Sequence, residues 1–212
     1  MNEVPRNITL SPSNVNENPE EWRLIGKLSA ADEDENQTHT FTLVDSDSGR
    51  FQLVFNSSEI RVAISNTNCL LFGGKYCLLN YEAQSTRVIS VRAMDDGIPP
   101  LELTMNINIT LDDVNDRPRD MTLSKSWIME NAPLNETVGY FNVNDEDTRD
   151  ILRFSLINST YGYFKVDANG RLSVNKSTNH EVHEIEHVIV QVLDSGNLSV
   201  SVCKIIEIRL AI

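Results

Sequence analysis

The residues that could do chemistry here are mostly acidic, and they recur in short groups. Glu17-Asn18 and Glu130-Asn131 form one pair, Asp32-Glu33-Asp34 and Asp145-Glu146-Asp147 another. Asp113-Val114-Asn115-Asp116-Arg117-Pro118 stands between the two series. Four or five carboxylates brought to one place repel one another. A hard divalent cation resolves that repulsion, because Ca²⁺ accepts six to eight oxygens at about 2.3–2.6 Å. A solvated acidic face is the plain structural alternative. Asp32-x-Asp34-x-Asn36 has the opening of an EF-hand loop. Gln37 then replaces the glycine of the sharp turn and Leu43 the closing glutamate, so the match fails. His183-Glu184-Ile185-Glu186-His187 matches the zinc-peptidase signature, which needs both histidines on one helical face. The flanking Val188, Ile189, Val190 and Val192 read as strand, where residues four apart lie about 13 Å from each other. The expectation is exposed polar residues ahead of a strand, with His180, His183 and His187 able to hold only stray metal. No nucleophile elbow or glycine-rich phosphate loop occurs.

Strands must position these carboxylates. Leu101, Leu103, Met105, Ile107, Ile109 and Leu111 alternate with polar residues, the period of a half-buried strand. Arg87–Val91 and Val188–Val192 are rich in β-branched residues. No segment carries a sustained helical stripe, and Gly, Asn, Asp and Ser punctuate the chain as in a β-sandwich. The chain also repeats. Pro5-Arg6-Asn7-Ile8-Thr9-Leu10-Ser11 returns at a fixed offset as Pro118-Arg119-Asp120-Met121-Thr122-Leu123-Ser124. At the same offset Gly26 pairs with Gly139 and the acidic groups pair with each other. Further on the offset is shorter: Asn80-Tyr81-Glu82 pairs with Asn179-His180-Glu181, and Asp95 with Asp194. The change of offset falls around Cys69 and Cys77, so the first copy carries an extra hairpin. Two homologous domains follow, 1–115 and 116–212, with the boundary near Asp116–Pro118. Carboxylates from both domains and the linker would make a bound metal an inter-domain clamp.

With 212 residues, 40 % apolar and 23 % charged, the chain is globular rather than disordered. A net charge of −13 argues against nucleic acid and anionic membranes as partners. No apolar run reaches the ~18–20 residues of a membrane span. The first residues lack the basic and apolar regions of a signal peptide, so a secreted origin implies a piece of a longer protein. Eight Asn-x-Ser/Thr sequons occur: Asn7, Asn36, Asn56, Asn108, Asn135, Asn158, Asn175 and Asn197. Chance placement of 22 asparagines would give roughly three, and the excess points to a glycosylating secretory route. In such a compartment Cys69 and Cys77 would staple a short hairpin; two independent buried thiols are the alternative. Cys203 is left over, as a buried thiol or an intermolecular link.

The ordered set of motifs, present twice, resembles tandem cadherin repeats. It comprises Glu17/Glu130, Asp32/Asp34 with Asp145/Asp147, Glu82/Glu181, Ala93-Met94-Asp95 with Val192-Leu193-Asp194, and the linker 113–118. The resemblance covers nearly the whole chain. It implies an all-β fold of two tandem seven-stranded Greek-key, immunoglobulin-like sandwiches, and up to three Ca²⁺ ions at the junction. One ion would be held by Glu17, Glu82 and Asp116. The next would share these and add Asp113, the Val114 carbonyl and Asp147. The third would take Asn115, the Arg117 carbonyl, Asp145, Asp147 and Asp194. The family usually has Asp where this chain has Asn80 and Asn179, so the outer site loses a charge. Asn2-Glu3-Val4-Pro5 aligns with Asn115-Asp116-Arg117-Pro118. Asn2, Glu3, Asp32, Asp34 and Asp95 would then be half of an upstream calcium site. Ile212 falls where Asp113 sits in the first copy, which leaves open whether a following linker binds calcium. Neither Trp22 nor Trp127 lies where strand-swapping cadherins place theirs, so the likeness is to interior, non-swapping repeats. Trp127 is expected to pack in or beside the junction. The implied protein is an extracellular, plasma-membrane-anchored adhesion ectodomain, not an enzyme, whose partners are other cadherin ectodomains and its own neighbouring repeats.

Overall fold

The computed structural model describes residues 1–63, 79–195 and 201–211, with the side chains of 201–206 left aside. The chain divides into two compact units, Met1–Val114 and Asn115–Ile212.

In the first unit the strands are β1 (Asn7–Ser11), β2 (Asn14–Asn16), β3 (Leu24–Ala31), β4 (Thr40–Asp45), β5 (Phe51–Leu53), β6 (Glu59–Val62), β7 (Thr86–Met94) and β8 (Glu102–Asp112). They form two sheets, ordered β1-β3-β6-β5 and β2-β8-β7-β4. The second unit repeats this plan with β9 (Arg119–Leu123), β10 (Trp127–Met129), β11 (Thr137–Asn144), β12 (Arg153–Ser159), β13 (Phe164–Val166), β14 (Arg171–Val174), β15 (Ile185–Leu193) and β16 (Ser201–Ala211). Its sheets run β13-β14-β11-β9 and β10-β16-β15-β12. The alternating run is β8, whose second half reads buried-exposed in strict turn. Each unit is a β-sandwich with its own core: Ile60, Ile89, Val91 and Ile109 in one, Leu172, Val188, Val190 and Ile208 in the other. Truncating Ile60, Ile89, Ile109, Leu172 or Ile208 to Ala costs about 2–5 kcal/mol.

Each unit shows eight strand segments where seven strands are expected, because the first strand is divided between the two sheets. β1 pairs antiparallel with β3, whereas β2 runs parallel to β8. The crossing is tight. A Cβ on Gly26 would run into the Pro12 carbonyl oxygen, and one on Gly139 would sit 2.8 Å from that of Lys125. Only glycine fits, which accounts for the repetition of this residue. The crossing delivers Glu17 to the end of β8, where its amide donates to the Asp112 carbonyl at 3.0 Å.

Candidate metal centres

At the far end of the first unit, carboxylate oxygens of Glu17, Glu82 and Asp113 lie within 4.8 Å of one another. Glu17 is only 2 % exposed, an unusual place for a carboxylate. Its two oxygens accept from the amides of Val114 (2.9 Å) and Tyr81 (2.8 Å), which fixes the start of the linker. Glu82 and Asp113 are exposed. Asn80 caps the turn that follows it, its Oδ1 accepting from the Ala83 amide at 2.5 Å. Asn179 does the same for Val182 at 3.0 Å. Glu130, the counterpart of Glu17, accepts from the His180 amide at 3.0 Å.

The opposite end of each unit carries a cradle with the same wiring. In the second unit the Asn115 side-chain amide donates to Asp194 Oδ2 (3.1 Å) and the Asp116 amide to Asp147 Oδ2 (2.5 Å). The Asp147 amide donates in turn to Asp145 Oδ1 at 3.1 Å. In the first unit Asn2 donates to Asp95 Oδ1 (3.2 Å), the Glu3 amide to Asp34 Oδ2 (2.8 Å), and the Asp34 amide to Asp32 Oδ1 (3.1 Å). A Cβ on Gly97 would collide with the Asn2 side chain, so glycine is what lets Asn2 approach. Asp95, Asp116 and Asp194 are 3 %, 8 % and 4 % exposed. Val114 and Asn115 are half-buried and Arg117 is exposed. Arg119 lies 3.8 Å from Asp116 and 3.4 Å from Glu146.

Two cradle residues escaped the sequence reading. Asp150 brings an oxygen within 4.8 Å of Asp145 and Asp194. Gln37, its counterpart in the first copy, donates to Asn2 Oδ1 at 2.7 Å. Because the two copies differ in residue type there, a search for repeated identities passes over the position.

The electrostatics of the cradles differ. Burial pushes the Asp145 carboxyl up, and the charges of Asp147, Asp150 and Asp194 push it the same way against the Asp147 amide. The Asp34 amide and His39 hold Asp32 below its ordinary value. Burial would raise Asp95, but the Leu101 amide, Asn2 and the Gly97 amide hold it down. Among the described residues, Asp145 Oδ2 and Asp150 Oδ2 are buried oxygens without a hydrogen-bond partner. These all-oxygen donor sets, with surplus charge and open oxygens, fit a hard divalent cation better than a soft one.

The histidine motif is not exposed polar sequence ahead of a strand. Glu186 and His187 lie within β15, and Glu186 is fully buried. Its carboxylate accepts from the Ser159 hydroxyl and from the amides of Tyr161 (3.2 Å), Gly162 (3.1 Å) and Tyr163 (3.3 Å). His183 stacks on Tyr161 and bonds the Tyr163 hydroxyl at 2.9 Å, whereas His187 is exposed. Trp127 is not packed away: it is 49 % exposed, with Lys125 Nζ 3.9 Å from the ring centroid. Asn7, Asn36, Asn56, Asn108, Asn135, Asn158 and Asn175 are all exposed. Cys69, Cys77 and Asn197 lie outside the described residues, and Cys203 sits on β16 opposite Gln191.

Two β-sandwiches follow one another along the chain, each with an acidic cradle at its leading end, as the resemblance to cadherin repeats implies. No protein-family model matches the chain. Human protocadherin Fat 4 is 36 % identical over 129 residues, covering 58 % of this chain and 2 % of that protein. Human protocadherin-23 is 25 % identical over 205 residues, covering 93 % of this chain and 6 % of that protein. The chain thus spans a small part of the length of these relatives. The crystal structure of human protocadherin-24 EC1-2 superimposes with a TM-score of 0.69 at 17 % identity, over 100 % of this chain and 99 % of that one. Together these likenesses set the chain beside cadherin-superfamily proteins, and the solved neighbour shares its two-sandwich fold.

Proposed function

We propose that this chain is part of a calcium-dependent extracellular adhesion ectodomain, in which Ca²⁺ held at the linker stiffens one repeat against the next. The observation that carries the reading is the duplicated cradle: the same hydrogen bonds from linker residue to aspartate at the leading end of both units. Carboxylates gathered in such a frame call for a positive charge, most of all in the second unit, where Asp145 Oδ2 and Asp150 Oδ2 are buried without a hydrogen-bond partner.

Glu17, Glu82 and Asp113 would supply oxygens from the first unit, and Asp116, Asp145, Asp147, Asp194 and Asn115 from the second. Asp150 is added to that set. The Val114 and Arg117 carbonyls would complete it, as would Asn80 if its amide left the turn. Calcium supplies the positive charge that allows these carboxylates to stay ionised together. Asn2, Glu3, Asp32, Asp34 and Asp95 would serve an upstream linker in the same way. The partners are other cadherin-family ectodomains, homophilic or heterophilic, and neighbouring repeats. The location is outside the cell, on a protein anchored in the plasma membrane. Many sequons favour a second reading, a glycan-shielded spacer without an adhesive face of its own. Sedimentation of the chain with and without calcium separates the spacer from a homophilic module, since only the homophilic module self-associates.

Calcium titration by calorimetry, with small-angle scattering before and after, tests the core of the reading. Two or three sites of micromolar to sub-millimolar affinity and a change from a flexible to an extended particle are expected. Asp116→Ala should weaken binding and uncouple the units while both stay folded. No binding and no change of shape would reduce the acidic residues to a solvated surface.

A further inference from the structure

Phe55 is 89 % exposed, more than any other aromatic ring among the described residues. It occupies the turn between β5 and β6 and immediately precedes Asn56, whose Asn56-Ser57-Ser58 is a sequon. Asn56 is itself exposed and left-handed, with φ of 52°. A single exposed ring is ordinary on a protein surface; what sets this one apart is the acceptor asparagine beside it.

The turn also borders an open cavity of about 860 Å³ between the two sheets. Leu28, Phe41, Leu43 and Leu53 line it from the core side, and Phe55 and Asn56 line it from the turn. The second unit closes the corresponding place with its own side chains. Phe141 and Phe154 stack there at 6.0 Å, and Phe154 lies so close to Gly170 that a Cβ there would be 3.0 Å from the ring. The first unit has Leu28 at the repeat position of Phe141. Its turn is also longer by one residue, 54–59 between the paired Leu53 and Ile60 against 167–171 between Val166 and Leu172. One aromatic ring is missing from the groove, and another stands outside it beside a glycosylation acceptor.

We propose that Asn56 carries an N-linked glycan whose first N-acetylglucosamine packs on Phe55 and roofs this groove. The proposal rests on the extracellular reading above. The transfer joins Asn56 Nδ2 to the anomeric carbon of an oligosaccharide carried on a lipid pyrophosphate; the amide proton and the lipid pyrophosphate leave. A sugar presents a face of weakly positive C–H groups, and an aromatic ring presents a negative face, so the two stack. The covalent tether raises the local sugar concentration far above anything free in solution, so a weak contact suffices. Asn135 and Asn175 differ in this respect. Asn135 Oδ1 accepts from Lys165 Nζ at 2.6 Å, and Asn175 Nδ2 donates to the Gly162 carbonyl at 3.2 Å.

The test secretes the chain from glycosylating cells and maps each sequon by mass spectrometry. Asn56 is expected to be occupied. Asn56→Gln and Ser58→Ala, two independent ways to lose the sugar, should each lower the melting midpoint by roughly 4–8 °C. Both should also raise fluorescence of an apolar dye. Trimming the glycan to a single N-acetylglucosamine should preserve the midpoint. Asn108→Gln, on the exposed face of β8, is the control and should not shift it. In a Phe55→Ser background, loss of the Asn56 sugar should change the midpoint by no more than about 1 °C, because the pair acts as a unit. An unoccupied Asn56 beside occupied sequons overturns the proposal alone; sugar on no sequon overturns the extracellular reading with it. Equal shifts with and without Phe55 would overturn the stacking.

Discussion

The two leading-end cradles have one wiring and two charge balances. Asn2 and Asn115 reach the same aspartate position, Asp95 and Asp194, and a linker amide caps Asp34 and Asp147 alike. Around this frame two side chains change. The first unit has Gln37 and His39 where the second copy has Asp150 and Leu152. His39 Nε2 stands 3.1 Å from Asp32 Oδ2, and Gln37 holds Asn2 in place. In the second unit the same places hold another carboxylate and a side chain packed against the core. The first cradle is therefore largely satisfied by its own hydrogen-bond donors. The second has more negative charge than donors: burial first, and then the charges of Asp147, Asp150 and Asp194, push Asp145 up, while hydrogen-bond donors hold Asp32 and Asp95 down. The backbone frame fixes where a cation would go, and the side chains around it fix how much the unit needs one.

Calcium withdrawal should break the comparison most visibly. At about one hundred times its dissociation constant, a ligand that binds only the folded form stabilises it by about 2.7 kcal/mol. Chelation should therefore open the second unit far more than the leading end of the first, read by amide hydrogen exchange on the whole chain. Equal loss of protection at both cradles would mean that His39 and Gln37 do not substitute for a cation. Next in size is Asp194→Asn. Removing a buried charged ligand costs about 1.5–3 kcal/mol, or roughly 10–100-fold in calcium affinity at that site. A calorimetric isotherm unchanged in this variant would take Asp194 out of the donor set. Smaller again is the exchange of identities. Asp150→Gln should relieve repulsion worth on the order of 1 kcal/mol, raising the midpoint in chelator and lowering calcium affinity about fivefold. If both quantities moved in the same direction, the charge-balance account would be wrong.

Much of this was legible in the sequence, for a physical reason. β8 buries one face, so its alternation had to appear at period two, and both sandwich cores follow from such runs. The cradle aspartates were legible because the same residue type recurs at a fixed offset. The parts that were not legible depend on neighbours rather than on type. Glu186 looks like surface from its composition, but a loop of backbone amides and the Ser159 hydroxyl surround it. Asp150 and Gln37 serve one position with different chemistry. The division of the first strand between two sheets leaves only Gly26 and Gly139 as its trace. The open groove beside Phe55 goes with Leu28 in place of Phe141 and with a turn longer by one residue, differences whose effect shows only once the facing strand is known.

The smallest expected effect is also the sharpest, because it differs in sign between the cradles. Asp32 and Asp95 have folded values below their ordinary ones. The unfolded chain binds more protons there, so they contribute stability above about pH 4 that is lost as the pH falls through the depressed values. Asp145 is raised, so the folded chain binds the proton more tightly. Its contribution is present below about pH 4 and is lost as the pH rises through the elevated value. In chelator, protection at the first cradle should therefore climb with pH across the acid range, while Asp145 pulls protection at the second cradle downward. His39→Leu should flatten the first profile, because Asp32 loses the second of its two main supports. Asp145→Asn should remove the downward component from the second. Calcium should suppress that component in the unmodified chain, since a bound cation holds Asp145 ionised at either end of the range. Hydrogen exchange between pH 3 and pH 7, with and without calcium, reads all of this in one series. Two cradles with parallel profiles in chelator would show that the exchange of His39 and Gln37 for Leu152 and Asp150 leaves the charge balance untouched.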